Sequence, residues 1–184
     1  RVRHQAWTAI TQFAVDHGDV ITTDAWAAQL LPEFMKGLED SCDRVSLRCM
    51  EAFQHYGESI EREDLEPFVQ PFMEKLGARL QGSQLFKKKA ITFIAVIAGQ
   101  VDDAFAPYYP ALMPLLKQVI QDTLHKVEER TLLGKCFECI SLLAKAVGKD
   151  GFRADAEVIM KAMIEATQTP NMPSSDPVKE YMMA

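Results

Sequence analysis

The chain has 184 residues, of which 48% are hydrophobic and 25% are charged, and its formal net charge is −6. This composition allows one domain with a full core and excludes intrinsic disorder. The acidic balance argues against a nucleic-acid partner, because a phosphate-binding surface needs a clustered basic excess, and it weakly favours basic partners.

The sequence predicts neither a membrane span nor a signal peptide. The longest apolar stretch, residues 90–99, is about half as long as a spanning helix requires. The chain begins Arg-Val-Arg-His without Met and ends within an apolar run at Met182-Met183-Ala184. We therefore expect a piece of a longer protein, cut at both ends.

Apolar residues recur at steps of three and four throughout, which predicts an all-α chain. In chain order, the pattern predicts a lone helix over 1–17, helix pairs at about 24–57, 64–102 and 107–148, and a partial pair over about 152–184. Glycine or proline falls between the individual helical patterns, at Gly18, Gly57, Gly82, Gly148 and Pro170–Pro173.

A repeat relates the second helices of the pairs, which we name the B helices; the first helices are the A helices. Spacings of 43, 41 and 46 residues separate small side chains at Ala6, Cys49, Ala90 and Cys136. Large apolar side chains, which we expect to be almost fully buried, coincide at Ile10, Phe53, Ile94 and Ile140. This period is typical of HEAT and armadillo repeats, and the lack of a short third helix favours HEAT. The sequence therefore predicts a single HEAT-repeat array over 1–184, an α-α superhelix with a concave and a convex face.

Two segments resemble a known family. Residues 105–117 read Phe-Ala-Pro-Tyr-Tyr-Pro-Ala-Leu-Met-Pro-Leu-Leu-Lys. Residues 132–149 read Leu-Leu-Gly-Lys-Cys-Phe-Glu-Cys-Ile-Ser-Leu-Leu-Ala-Lys-Ala-Val-Gly-Lys. Both resemble the middle repeats of the importin-β (karyopherin-β) nuclear transport receptors, of the importin beta-three or Ran-binding protein five type. A weaker likeness extends over the whole chain.

The resemblance implies central HEAT repeats of a receptor found in cytoplasm and nucleus. Such a receptor binds protein cargo with basic nuclear localisation signals on its concave face, carries it through the nuclear pore and releases it when Ran-GTP binds. Ran-GTP and phenylalanine-glycine nucleoporins would bind through the full-length protein, with most of the Ran site outside this chain. The B helices would line the concave face and the A helices the convex face. A HEAT scaffold subunit of a multiprotein complex is the alternative that the sequence leaves open.

The B-helix positions opposite the predicted core form a polar stripe, which the resemblance places on the cargo-binding face. In the second B helix the stripe is Arg44, Arg48, Glu51 and His55, and repeat alignment extends it to Gln5, Thr8, Gln12, Lys89, Thr92, Lys135 and Glu138. We expect Glu51 and Glu138 to meet the lysines of a basic peptide. Salt bridges between repeats, made by the basic residues of the stripe, are an equally weighted alternative.

The resemblance also implies that nucleoporin phenylalanine rings insert between neighbouring A helices. We expect shallow apolar gaps for such rings near Phe34, Phe72, Leu76 and Leu116.

No motif predicts catalysis, a cofactor or a metal site, and we expect the chain not to be an enzyme. Cys136-Phe-Glu-Cys139 lacks the further ligands that structural zinc needs, so we predict reduced cysteines packed in the core. The four histidines show no i, i+4 pair. The basic run Lys87–Lys89 is interpreted as a solvated helix start.

Overall fold

The computed structural model describes residues 1–168 and 175–183, the side chain of Met183 excepted. These ranges contain helices and no strand, which confirms the all-α HEAT-repeat prediction. The α-helices are α1 Val2–Ile21, α2 Asp24–Leu38, α3 Asp43–Gly57, α4 Arg62–Arg79, α5 Gln84–Val101, α6 Tyr109–Thr123, α7 Arg130–Thr167 and α8 Pro177–Met183. Two 3-10 helices cover Asp102–Tyr108 and Val127–Glu129.

The chain divides into two compact units, Arg1–Val101 and a second that starts at Asp102. The first unit contains α1 to α5, and the second contains α6 to α8 with both 3-10 helices. The single array over 1–184 and the repeat boundaries stay predictions.

In the first unit, the helices form two layers. The B helices α1, α3 and α5 pack side by side in chain order, and the A helices α2 and α4 pack against each other. Each A helix also packs on the B helix that follows it, α2 on α3 and α4 on α5. This is the packing expected of stacked helix pairs, in which each pair covers the apolar face of its neighbour.

An aromatic cluster forms the core between these two layers. Phe53 of α3 stacks almost parallel on Phe93 of α5, with ring centroids 3.7 Å apart. Phe34 and Phe72, one from each A helix, approach the same Phe53 ring at 5.2 Å. Trp7 of α1 extends the cluster by stacking on Phe34 at 4.8 Å. The cluster therefore joins all five helices of the unit.

The repeat positions predicted to be buried are buried in three of the four copies. Phe53, Ile94 and Ile140 are at most 1% exposed. The prediction is wrong for Ile10, which is only half-buried, because no described helix covers that side of α1. A cavity of about 300 Å³ lies there instead, lined in part by Ile10 and Leu30.

Close approach of α2 to its neighbours depends on Gly37. A Cβ atom at this position would lie 2.5 Å from Cys49 Sγ and 2.6 Å from the Trp7 ring. The sulfur of Cys49 also contacts the carbonyl oxygen of Phe34 at 3.5 Å. A small residue on each of two facing helices thus allows the backbones to pack closely.

Within the part of the chain that the structure describes, one stretch, Gln84–Thr123, is long and apolar enough to cross a membrane by length and composition. However, 56% of its most apolar window is buried inside the protein. Core helices have the same character, so the stretch is weak support for a membrane span.

In the second unit, α7 provides the surface on which the other elements pack. Helix α6, the 3-10 helix Asp102–Tyr108 and α8 all contact α7. Gly148 interrupts α7 with φ +69° and ψ 178°, a conformation open essentially to glycine alone. The arm after Gly148 is tied to α6 through Asp155, which accepts hydrogen bonds from the Tyr109 hydroxyl and the Lys117 ammonium group.

Candidate protein-binding face

The stripe residues of the first unit meet across three successive B helices. Arg48 Nε of α3 donates a hydrogen bond of 3.1 Å to Thr8 Oγ1 of α1. The same guanidinium pairs through Nη1 with Glu51 Oε2 at 2.7 Å. Lys89 Nζ of α5 lies 3.6 Å from Glu51 Oε1. A polar chain therefore runs from α1 through α3 to α5 on the face formed by the B helices.

Glu51 is the central acid of this chain and is ionised at neutral pH. Partial burial raises the pKa of Glu51, but the hydrogen bond from Arg48 and the charge of Lys89 outweigh it and hold the pKa below its usual range. The Glu51 side chain keeps 37% of its surface exposed. Its carboxylate is thus charged, held in place by two cations and still reachable from solvent.

Salt bridges between repeats were the alternative to cargo contacts for the stripe. The first unit contains one, because Lys89 and Glu51 form an ion pair and belong to different repeats. A lysine of a bound peptide would have to share Glu51 with Arg48 and Lys89.

The remaining stripe residues of the first unit differ in exposure. Gln5 and Gln12 are exposed and His55 is half-buried. The amide of Gln12 donates to Asp16 Oδ2 within α1 at 2.8 Å. The expected exposure of Thr92 is wrong: it is 6% exposed, and its hydroxyl donates to the Lys88 carbonyl oxygen of the same helix. Buried side chains lie around most of the circumference of α5, so neighbouring elements cover this helix on several sides. Thr92 is buried for the same reason.

In the second unit, Glu138 pairs with Lys135 on the same helix at 2.8 Å. The Lys135 ammonium group also lies 4.3 Å from the centre of the Tyr181 ring of α8, a cation–π contact. Tyr181 was missed by sequence reasoning, because α8 is short and its register on α7 leaves no periodic signal.

The four A-helix residues assigned to nucleoporin rings have no exposed side chains. Phe34, Phe72, Leu76 and Leu116 are all 0% exposed. These four side chains therefore do not themselves line a surface gap, and the expected apolar gaps near them stay a prediction. The A helices turn these side chains towards the core, where Phe34 and Phe72 contact Phe53. Their role in nucleoporin binding stays a prediction.

A second feature of the B-helix face is a cavity of about 350 Å³ at the start of α1 and α3. It is lined by Arg1, His4, Gln5, Cys42, Arg44 and Val45. Sequence reasoning placed Arg44 on the stripe but overlooked the cluster. The repeat alignment, which superimposes Val2 on Val45, also superimposes Arg1 on Arg44 and contains the signal.

Nothing in the described residues forms a group of three or more metal-binding side chains. Cys136 and Cys139 are fully buried, as predicted. Burial raises the pKa of Cys139 to about 12 and that of Cys136 well above its usual range. Both thiols are thus protonated packing residues rather than nucleophiles.

Comparison with known proteins gives consistent relatives, although no family model matches the chain. Importin subunit beta-3 of Saccharomyces cerevisiae is 28% identical over 184 residues, which is 99% of this chain and 16% of the relative. The crystal structure of the karyopherin Kap121p bound to the SUMO protease Ulp1p is 27% identical with a TM-score of 0.84. Kap121p bound to the extreme C-terminus of the protein phosphatase Cdc14p is 28% identical with a TM-score of 0.83. Both structures match 99% of this chain, which covers 17% of theirs.

Proposed function

We propose that this chain, which is similar over 99% of its length to importin subunit beta-3 and to Kap121p, is a segment of an importin-β receptor and that its B-helix face binds protein cargo with basic nuclear localisation signals. The chain spans 16% of the length of its curated relative. The proposal therefore includes a full-length receptor that moves between cytoplasm and nucleus, contacts phenylalanine-glycine nucleoporins and releases cargo to Ran-GTP.

The observation that carries this proposal is the position of Glu51. It is an ionised and partly exposed carboxylate on a face built from three B helices. Two cations hold it in place, so its rotamer is fixed before a ligand arrives, which reduces the entropy lost on binding. A lysine ammonium group has three donors and can share such a carboxylate with the resident cations.

The solved relatives support a protein ligand. Kap121p has been crystallised with Ulp1p and with the C-terminal end of Cdc14p, so this architecture binds both a protein and a chain terminus. An extended segment would fit the exposed amides of Gln5 and Gln12, which can bind peptide groups. These features favour transport over the scaffold alternative.

The test is to titrate a lysine-rich peptide into Glu51→Gln and Glu138→Gln variants and measure affinity by calorimetry. Each substitution preserves shape and removes one charge. We expect each to weaken binding by about threefold to tenfold, since a charge-assisted hydrogen bond contributes about 1 kcal/mol or more.

A matched control is Glu33→Gln. Glu33 pairs with Lys36 at i, i+3 on the A helix α2, as Glu51 pairs with Arg48 on α3. This variant should bind like the unmodified chain. If all three variants bound the peptide as tightly as the unmodified chain, Glu51 and Glu138 would be structural residues. The cargo site would then lie on other repeats of the receptor.

We further propose that nucleoporin rings contact the A-helix layer beside Phe34, Phe72, Leu76 and Leu116 rather than these side chains themselves. Ring insertion would then require exposed neighbours such as Trp26 of α2, which is 48% exposed. A phenylalanine-glycine peptide should shift the indole NMR signal of Trp26. A spectrum that is unchanged at saturating peptide would move the nucleoporin sites to other parts of the receptor.

A further inference from the structure

The cavity at the start of α1 and α3 gathers basic side chains in a protein that is acidic as a whole. Arg1, His4 and Arg44 line it together, whereas the chain carries a net charge of −6. Within the described residues, the side chains of these three make no hydrogen bond or ion pair with the protein. This differs from the neighbouring Arg3 and Arg48, which pair with Asp40 and Glu51.

The floor and rim of the cavity also suit a ligand. Val45 is buried and gives an apolar floor, and the exposed Gln5 supplies an amide donor and acceptor. A volume of about 350 Å³ is at the lower end of the range for ligand pockets. None of the described side chains that line the cavity is acidic, so an incoming anion meets no repulsion from them.

We propose that this cavity binds an acidic segment of a protein partner, with an Asp or Glu carboxylate between Arg44, Arg1 and His4. Arg44 is the main anchor, because a guanidinium group can bind a carboxylate through two parallel hydrogen bonds. A peptide is favoured over a nucleic acid because three basic side chains in one cavity can bind one or two carboxylates but do not form the extended basic surface that a nucleic-acid backbone needs. From the cavity, the stripe continues along Gln5 and Thr8, whose polar groups suit a peptide backbone.

This inference goes beyond the basic-cargo proposal, since it assigns the opposite ligand charge to different residues. The two can fail separately. Glu51→Gln should weaken the binding of a lysine-rich peptide and leave the binding of an acidic peptide unchanged or slightly stronger. Arg44→Ala should weaken the binding of the acidic peptide and leave that of the lysine-rich peptide unchanged or slightly stronger.

The test is fluorescence anisotropy of a labelled polyglutamate peptide with the whole chain. We expect salt-sensitive binding that Arg44→Ala weakens about tenfold, because a hydrogen bond between charged partners is lost. Arg44→Lys should recover part of that loss. Arg153→Ala, which removes another exposed arginine, on α7, is the matched control and should bind like the unmodified chain.

Cys42 offers an independent measurement. It lines the cavity and is exposed, whereas the other three cysteines are buried. Bound polyglutamate should slow alkylation of Cys42 by iodoacetamide. The proposal is overturned if polyglutamate does not bind, if Arg44→Ala and Arg153→Ala weaken it equally, if Cys42 stays unprotected, or if inorganic phosphate protects Cys42 and the peptide does not.

Discussion

At the scale of single residues, Phe53 is the point where the core of the first unit is most sensitive. It contacts Phe34, Phe72 and Phe93 and has no exposed surface. Phe53→Ala should lower the free energy of unfolding by about 3–5 kcal/mol, since the site is enclosed by rings that cannot all move into the gap. Urea denaturation measures this loss.

Phe13 provides the control for that substitution. It is a phenylalanine of α1 that is 55% exposed, and Phe13→Ala should change stability by no more than about 0.5 kcal/mol. If Phe53→Ala and Phe13→Ala lowered the free energy of unfolding equally, Phe53 would not occupy the buried core position that the repeat alignment gives it.

The buried ion pair between Arg130 and Asp176 predicts a pH dependence of the second unit. Both side chains are at most 5% exposed, and Arg130 also donates to the Ala166 carbonyl oxygen at 2.9 Å. The hydrogen bonds from Arg130 outweigh the effect of burial and hold the pKa of Asp176 below its usual range. The stabilisation is therefore complete above the ordinary aspartate pKa of 3.8 and is lost as pH falls through the lower, folded-state pKa.

Asp176→Asn should accordingly destabilise the unit by about 3 kcal/mol at neutral pH, because it leaves the Arg130 charge buried without its partner. The difference from the unmodified chain should shrink as the pH is lowered below 3.8. Thermal denaturation as a function of pH measures it. A difference that stays constant as the pH falls through and below 3.8 would mean that folding does not change the pKa of Asp176.

At the scale of elements, the break in α7 depends on one glycine. A Cβ atom at Gly148 would meet no atom within 4 Å, so only the backbone conformation with φ +69° opposes a side chain there. Gly148→Ala should cost about 1–3 kcal/mol. Gly77 in α4 also has nothing within 4 Å of its Cβ position but has no positive φ. Gly77→Ala should therefore stabilise the chain by about 0.5–1 kcal/mol.

Calorimetric melting of the two variants separates these effects. Opposite signs are expected although the two substitutions are chemically identical. If Gly148→Ala were neutral, α7 would have to continue as a regular helix through residue 148.

Helix positions could be predicted from the sequence, whereas the exposure of particular side chains could be predicted only in part. A three-and-four periodicity identifies the face of a helix that is buried, but it does not give the width of that face. Helix α5 has neighbours on several sides, so Thr92 is buried where the stripe predicted exposure. Ile10 fails in the opposite direction, because its equivalents are covered by an A helix that α1 lacks among the described residues.

At the scale of the whole molecule, the repeat period was sufficient to predict the architecture, and the ion pairs were not predictable. Which cation meets Glu51 depends on the reach of long side chains between repeats, and the sequence left that choice open. The structure selects Arg48 and Lys89. The B-helix face of the first unit combines a carboxylate shared by two cations with a cavity whose basic side chains have no partner among the described residues. This combination underlies both binding proposals.

The most direct measurement of the central claim is a chemical-shift map of the whole chain with a lysine-rich peptide. We expect the perturbed amides to cluster on the B helices α1 and α3, around Thr8, Arg48 and Glu51. Perturbations confined to the A helices α2 and α4, or absent at saturating peptide, would contradict the claim that the B-helix face binds cargo.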